Sequence, residues 1–195
     1  MDRELVYVLG RDECPSTLSL EAGESLKATL VAARGVSGSF ELSIELGGEG
    51  AELDLAGIYL CEGEQKVDFR ICVRHLAGGC KSTQMFRGLA DGNSRVSFEG
   101  LVYVAEGAQK TQALQENHSL LLSGEATVQS SPQLEIYADD VVCSHGSTIG
   151  SLSEEEQFYM RSRGIDEATA RELQIRSFLS PVLERLSEED LRFIL

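Results

Sequence analysis

The strongest order in this chain is an alternation of apolar and polar residues with a period of two. Phe40, Leu42, Ile44 and Leu46 are interleaved with Glu41, Ser43 and Glu45. Val67, Phe69, Ile71 and Val73 are interleaved with Asp68, Arg70, Cys72 and Arg74. Neighbouring side chains on a strand point to opposite faces, so each stretch reads as a strand with one buried face. Shorter versions of the pattern occupy residues 26–32, 53–60, 96–104, 120–122 and 134–137. These strands are numerous and short, with turns at Gly47-Gly48, Gly78-Gly79 and Gly92. Asp91-Gly92 is the main hairpin dipeptide, whereas an antiparallel sandwich would carry several. A solenoid needs none, because each coil lends its edge to the next. No strict repeat is visible, so periodicity alone gives a β-helix only a modest edge over a sandwich.

Near residue 150 the pattern turns helical, which divides the chain into a β-helix core at 1–150 and a helical subdomain at 151–195. Ser153 and Glu156 form a capping box, and Gly164 is placed to end the first helix. Asp166 can cap a second helix carrying Ala170, Leu173 and Phe178 on an apolar stripe, with Pro181 expected to interrupt or restart it. Ser187 can cap a last short helix bearing Leu191, Ile194 and Leu195. An apolar face on such a tail can dock a partner, or it can pack onto the end of the β-region and cover the open coil.

Composition narrows the function. With no Trp and only 6% aromatic residues, the core must be built mainly from Leu, Val, Ile and Ala. A formal charge of −15 repels phosphate backbones and argues against nonspecific nucleic-acid binding. No apolar run is long enough to span a bilayer, and the charged Met1-Asp2-Arg3-Glu4 is not followed by a signal-type apolar segment, so the expected location is the cytoplasm. Five irregularly spaced cysteines, with no Cys-x-x-Cys pair, read as free thiols. Neither a P-loop nor a dinucleotide-binding glycine motif occurs, and three scattered histidines support no catalytic triad. The chain is accordingly not read as an enzyme.

The chemistry-bearing segment is Cys143-Ser144-His145-Gly146. Thiolate and imidazole both ligate iron, and residues two apart on a strand share a face. On the residues alone, two donors cannot hold a cluster, and a strand cysteine reads equally as a small buried hydrophobe and a histidine before glycine as a turn residue. Cys72-x2-His75-x4-Cys80 is a weaker candidate: Cys72 and His75 are an odd number apart on one strand, face opposite ways, and read as packing. His118 reads as a surface residue, and Asp139-Asp140 as a turn or strand end.

The stretch from Pro132 to Ile165 resembles the SufB/SufD family: a strand ending in the acidic pair Asp139-Asp140, then Cys143-Ser144-His145-Gly146, Thr148-Ile149-Gly150, Phe158-Tyr159 and Ser162-Arg163-Gly164-Ile165. Val73-Arg74-His75, Ser82-x-Gln84, Arg87-Gly88, Phe98-x-Gly100-Leu101, Ala108-Gln109-x-Thr111 and Leu120-Leu121-Leu122-Ser123 appear upstream in the family's order. The likeness holds from about residue 55 to 180, and Cys143-x-His145 favours the SufD branch. The resemblance implies a right-handed parallel β-helix followed by a small helical subdomain. It also implies a non-catalytic scaffold subunit of the SUF iron–sulfur cluster assembly complex. A SufC-type ATPase would dock on the C-terminal helices, with Phe158, Tyr159, Arg161, Arg163, Ile165, Leu173 and Phe178 as the expected contacts. A SufB-type subunit, or a second copy of this chain, would meet the β-helix. His145, and secondarily Cys143, would hold iron or an iron–sulfur cluster transiently at that interface, with none expected in the isolated chain. Two alternatives stand beside this: a β-helix polysaccharide-degrading enzyme recruiting Asp139, Asp140 and Arg161, and a degenerate relative that only dimerises. Typical family members are longer and carry a further N-terminal region.

Overall fold

The alternating stretches pair with segments one coil away rather than folding back as hairpins. The computed structural model describes residues 2–194 and contains eleven strands among them: β1 (Asp2–Val8), β2 (Thr17–Leu20), β3 (Ser25–Ala32), β4 (Gly38–Leu46), β5 (Glu52–Cys61), β6 (Lys66–His75), β7 (Lys81–Ala90), β8 (Arg95–Val104), β9 (Gln112–Leu121), β10 (Thr127–Ile136) and β11 (Val142–Gly150). Odd-numbered strands form one sheet in the order β1-β3-β5-β7-β9-β11, and even-numbered strands a second in the order β10-β8-β6-β4-β2. Every pairing is parallel. The chain is a two-sheeted parallel β-helix of about five turns.

Glu52 sits beside Lys81, Lys81 beside Gln112, and Gln112 beside Val142, so these coils take 29, 31 and 30 residues. Turns of unequal length absorb the difference, which is why no strict repeat shows in the sequence. On the outer faces, opposite charges stack between neighbouring coils: Glu45 on Arg74 (2.9 Å), Glu52 on Lys81 (3.1 Å) and Glu41 on Arg70. Exposed pairs of this kind add little stability each, but they oppose a slip of register.

Between the sheets lies a lumen filled by the inward face of each strand. Phe40, Phe69, Phe86 and Phe98 are fully buried there, with successive ring centroids 5.4, 5.6 and 4.7 Å apart. Burying each such side chain contributes about 1.5–3 kcal/mol. The rings fit because glycine stands beside them on the adjacent coil. A Cβ on Gly57 would lie 2.2 Å from the Phe86 ring, and one on Gly88 would lie 1.9 Å from the ring of Tyr59. Each large residue therefore borrows the space its neighbour leaves empty.

Three helices follow: α1 (Glu154–Ser162), α2 (Glu167–Leu183) and α3 (Glu188–Ile194). Ser153 caps α1 by accepting from the Glu156 N–H, Asp166 caps α2 at Thr169, and Ser187 caps α3 by accepting from the Asp190 N–H (3.1 Å). Gly164, at φ +88°, ends α1. Pro181 does not break α2, contrary to expectation. Proline removes the N–H that would reach the Ser177 carbonyl, and the Ser180 hydroxyl donates to that carbonyl instead (2.9 Å). The tail does not cover the solenoid end either. Leu179, Val182, Leu186 and Ile194 pack on Val8, Val31, Ala56, Ile58, Leu60 and Leu89, which form the outer face of the odd-numbered sheet. That face is apolar, so it needs a cover along its length. Arg185 fixes the cover in place, donating to the Asp54 carboxylate (2.7 Å) and the Asp54 carbonyl (2.9 Å). No helix among the described residues is long and apolar enough to cross a membrane.

Candidate functional site at the open end of the solenoid

The last coil has no neighbour beyond it. β11 pairs with β9 on one side only, and β10 is likewise the last strand of its sheet. Around this edge Val142 is 72% exposed, Tyr137 59% and Ile149 45%. An unpaired strand edge flanked by exposed apolar side chains is a surface built for contact.

Register decides which way β11 presents its residues. Cys143 stands beside Ala113 and His145 beside Gln115. Ala113, Gln115, Asn117 and Ser119 are buried, while Gln112 and Leu114 on the alternate positions are exposed. Cys143 and His145 thus share the inward face at the mouth of the lumen. Cys143 is half-buried and packs in the cluster of Val102, Val104, Ala108, Ala113 and Ala138. Burial pushes its thiol up, opposed by a hydrogen bond from the Ala113 backbone. His145 is exposed. Among the described residues, no group of three or more His, Cys, Asp or Glu could hold a metal ion. Two donors fall short of the four ligands that a cluster usually takes.

The weaker candidates separate as the odd spacing predicts. Cys72 is half-buried on the outward face, whereas His75 is fully buried in the lumen, hydrogen-bonded to Ser82 (2.9 Å) and lowered by burial to about 4. Cys80 is buried and donates to the Gly48 carbonyl (3.2 Å). All five cysteines are free. His118 is half-buried on the outward face and bonds Thr148 of β11 (2.6 Å). Asp139 and Asp140 lie in the bend between β10 and β11, and Asp140 pairs with Lys110.

A polar lumen beneath the site was not foreseen. Gln84, Gln115, Asn117 and Ser119 are buried in the last coils. The Tyr59 and Ser119 hydroxyls bond at 2.5 Å, and Asn117 donates to Ser130 (3.0 Å). The signal existed: Ala113, Gln115, Asn117 and Ser119 alternate with a period of two, but they are not apolar.

Residues 17–178 match the family described as SUF system FeS cluster assembly, SufBD core domain. The chain belongs to this SufBD core family. It is 38% identical over 150 residues to the iron–sulfur cluster assembly protein SufD of Escherichia coli K12, covering 77% of this chain and 36% of that one. It is 36% identical over 175 residues to the chloroplastic protein ABCI7 of Arabidopsis thaliana, covering 88% of this chain and 36% of that one. The chain thus spans about a third of the length of these relatives.

On this SufBD core, the residues singled out on the tail lie on α1, in the turn that follows it and along α2. Phe158 is 73% exposed and Tyr159 60%; Leu173 is exposed rather than sharing the buried stripe of Ala170, and Phe178 is half-buried under the guanidinium of Arg87 (5.3 Å). Arg163 lies over the Tyr159 ring (5.4 Å), Arg161 pairs with Glu167 (3.5 Å), and Ile165 is half-buried. Leu120, Leu152, Tyr159, Met160, Leu173 and Phe178 line an apolar groove of about 860 Å³.

Proposed function

We propose that this SufBD core is the scaffold part of a SufD-type subunit, and that it acts in iron–sulfur cluster assembly without catalysing a reaction alone. The observation that carries the reading is the pairing of an unpaired, apolar-flanked edge strand with two inward-facing donors, Cys143 and His145, on that strand. A SufB-type subunit, or a second copy, would meet this edge. The cluster or its iron is cargo here, completed by ligands from the opposite chain. Half-burial pushes the Cys143 thiol up, and a bound cation would favour its thiolate. The groove between α1 and α2 offers a helix-sized apolar seat for a SufC-type ATPase, whose nucleotide cycle would supply motion. The cytoplasm is the compartment that free thiols suit.

The polysaccharide-cleaving alternative gains nothing from the geometry. Asp140 is held by Lys110, and Arg161 sits on α1 paired with Glu167.

The test is reconstitution of the chain with SufB-type and SufC-type subunits, followed by iron and sulfide analysis of the complex. His145→Ala should abolish or strongly reduce cluster content, and Cys143→Ala should reduce it less. Removal of residues 151–195 should release the ATPase. Wild-type cluster content in His145→Ala would overturn the site, and undiminished ATPase binding to the truncated chain would overturn the docking assignment.

A further inference from the structure

Three coils place side chains in one inward column: Gln84 on β7, Gln115 on β9 and His145 on β11. The two glutamines are buried and form one step of an amide ladder, in which Gln115 Nε2 donates to Gln84 Oε1 (3.0 Å). Gly100 makes room for it from the opposite sheet, since a Cβ there would lie 2.6 Å from Gln115 Nε2. This one step runs toward the preceding coil, where the Gln84 Nε2 has no partner of its own, and it leaves the Gln115 carbonyl for a donor on the next coil. Gln115 Oε1 is that leftover carbonyl. It is buried and has no partner. A buried acceptor without a donor is destabilising, so the lumen favours an N–H that can reach it. The side chain next in the column is the imidazole of His145, whose Cα is paired in register with that of Gln115.

We infer that Gln115 is a positioning residue for His145: its Oε1 accepts a ring N–H and fixes one neutral tautomer of the imidazole. The other ring nitrogen then keeps its lone pair for a cation. Ring nitrogens of metal-binding histidines are commonly set by the hydrogen bond that the opposite nitrogen makes. The inference deepens the site reading above, because it assigns the residue that presents His145.

The test needs no metal. The full chain, labelled with ¹⁵N at histidine, is examined by long-range NMR at a pH where the rings are neutral. Wild-type His145 should show one tautomer favoured about tenfold, the bias a single hydrogen bond of ordinary strength gives. Gln115→Leu should bring its two ring nitrogens toward the intermediate shifts of an exchanging imidazole, and Gln115→Glu, which keeps an acceptor, should retain the single tautomer. An exchanging tautomer mixture in the wild type, or an unchanged His145 signature in folded Gln115→Leu, overturns the inference. Neither result bears on cluster content in His145→Ala, so this proposal and the site reading fail separately.

Discussion

Gly88→Ala tests the packing rule of the lumen. The added Cβ would sit 1.9 Å from two ring carbons of Tyr59 and 2.3 Å from a third. Carbon atoms at ease lie about 3.5–4.0 Å apart, so the ring would have to retreat by about 1.5 Å or more. It has nowhere to go. Tyr59 is fully buried, lies 5.7 Å from the Phe69 ring centroid, and is tied by its hydroxyl to Ser119. Overpacking of a tight core costs about 1–3 kcal/mol. Pulling the hydroxyl away from Ser119 leaves buried polar atoms without partners, which costs about 1–3 kcal/mol more. The expected loss is about 4 kcal/mol, seen as a fall of about 2 M in the urea midpoint for a typical slope. Gly88 does not lie in the left-handed region, so alanine meets no backbone objection and the whole effect is one of space. Tyr59→Leu alone should cost about 2–4 kcal/mol through the void it opens. The double variant Tyr59→Leu/Gly88→Ala should lose at least ~2 kcal/mol less than the sum of the singles, because the new methyl fills part of that void. A Gly88→Ala protein within about 0.5 kcal/mol of wild type, or strict additivity of the pair, would refute the reasoning.

Three further outcomes follow from other contacts. Burial holds the folded-state pKa of His75 at about 4, below its ordinary 6.5. The unfolded chain therefore binds more protons between those values, and stability should fall as pH drops from about 6.5 towards 4, by up to about 3 kcal/mol. His75→Gln should flatten that part of a denaturation-versus-pH profile, and an identical slope in the variant would remove His75 as the cause. Arg185→Leu leaves the Asp54 contacts unmade and should cost about 2–3 kcal/mol, with hydrogen exchange quickening first in α2 and α3; unchanged exchange there would deny the clamp. Leu173→Asp alters an exposed wall of the groove, so it should weaken capture of a SufC-type ATPase at least tenfold while leaving the melting temperature within about 2 °C, and full capture would point to another docking face.

The fold was legible where the lumen is apolar. Strands β4 and β6 follow from Phe40–Leu42–Ile44–Leu46 and Val67–Phe69–Ile71–Val73, and both are half-buried strands with those faces inward. β9 was seen only as a fragment at 120–122, because its inward residues are Ala113, Gln115, Asn117 and Ser119, which carry no hydrophobic period. The first strand, Asp2–Val8, was hidden because charged residues open it. Capping residues marked all three helices correctly, since a cap is a local interaction within one turn. Where the helices would lie was not legible, because that depends on which sheet face stays apolar on its outside, as Val31, Ala56 and Ile58 do. His145 and Cys143 could be placed on one face from their spacing alone. The unpaired edge beside them could not, since pairing partners about thirty residues away leave no local trace.

The helical tail changes how the molecule should come apart. In an ordinary solenoid each coil touches only its neighbours, so terminal coils can fray one at a time. Here Ile194 shares a cluster with Val8 and Val31, and Arg11 bonds Asp190 at 2.8 Å, joining the first described strand to the last helix across the intervening coils. Loss of any coil beneath this strap strips contacts from the others. Melting should therefore be a single concerted transition, with the strapped coils yielding together.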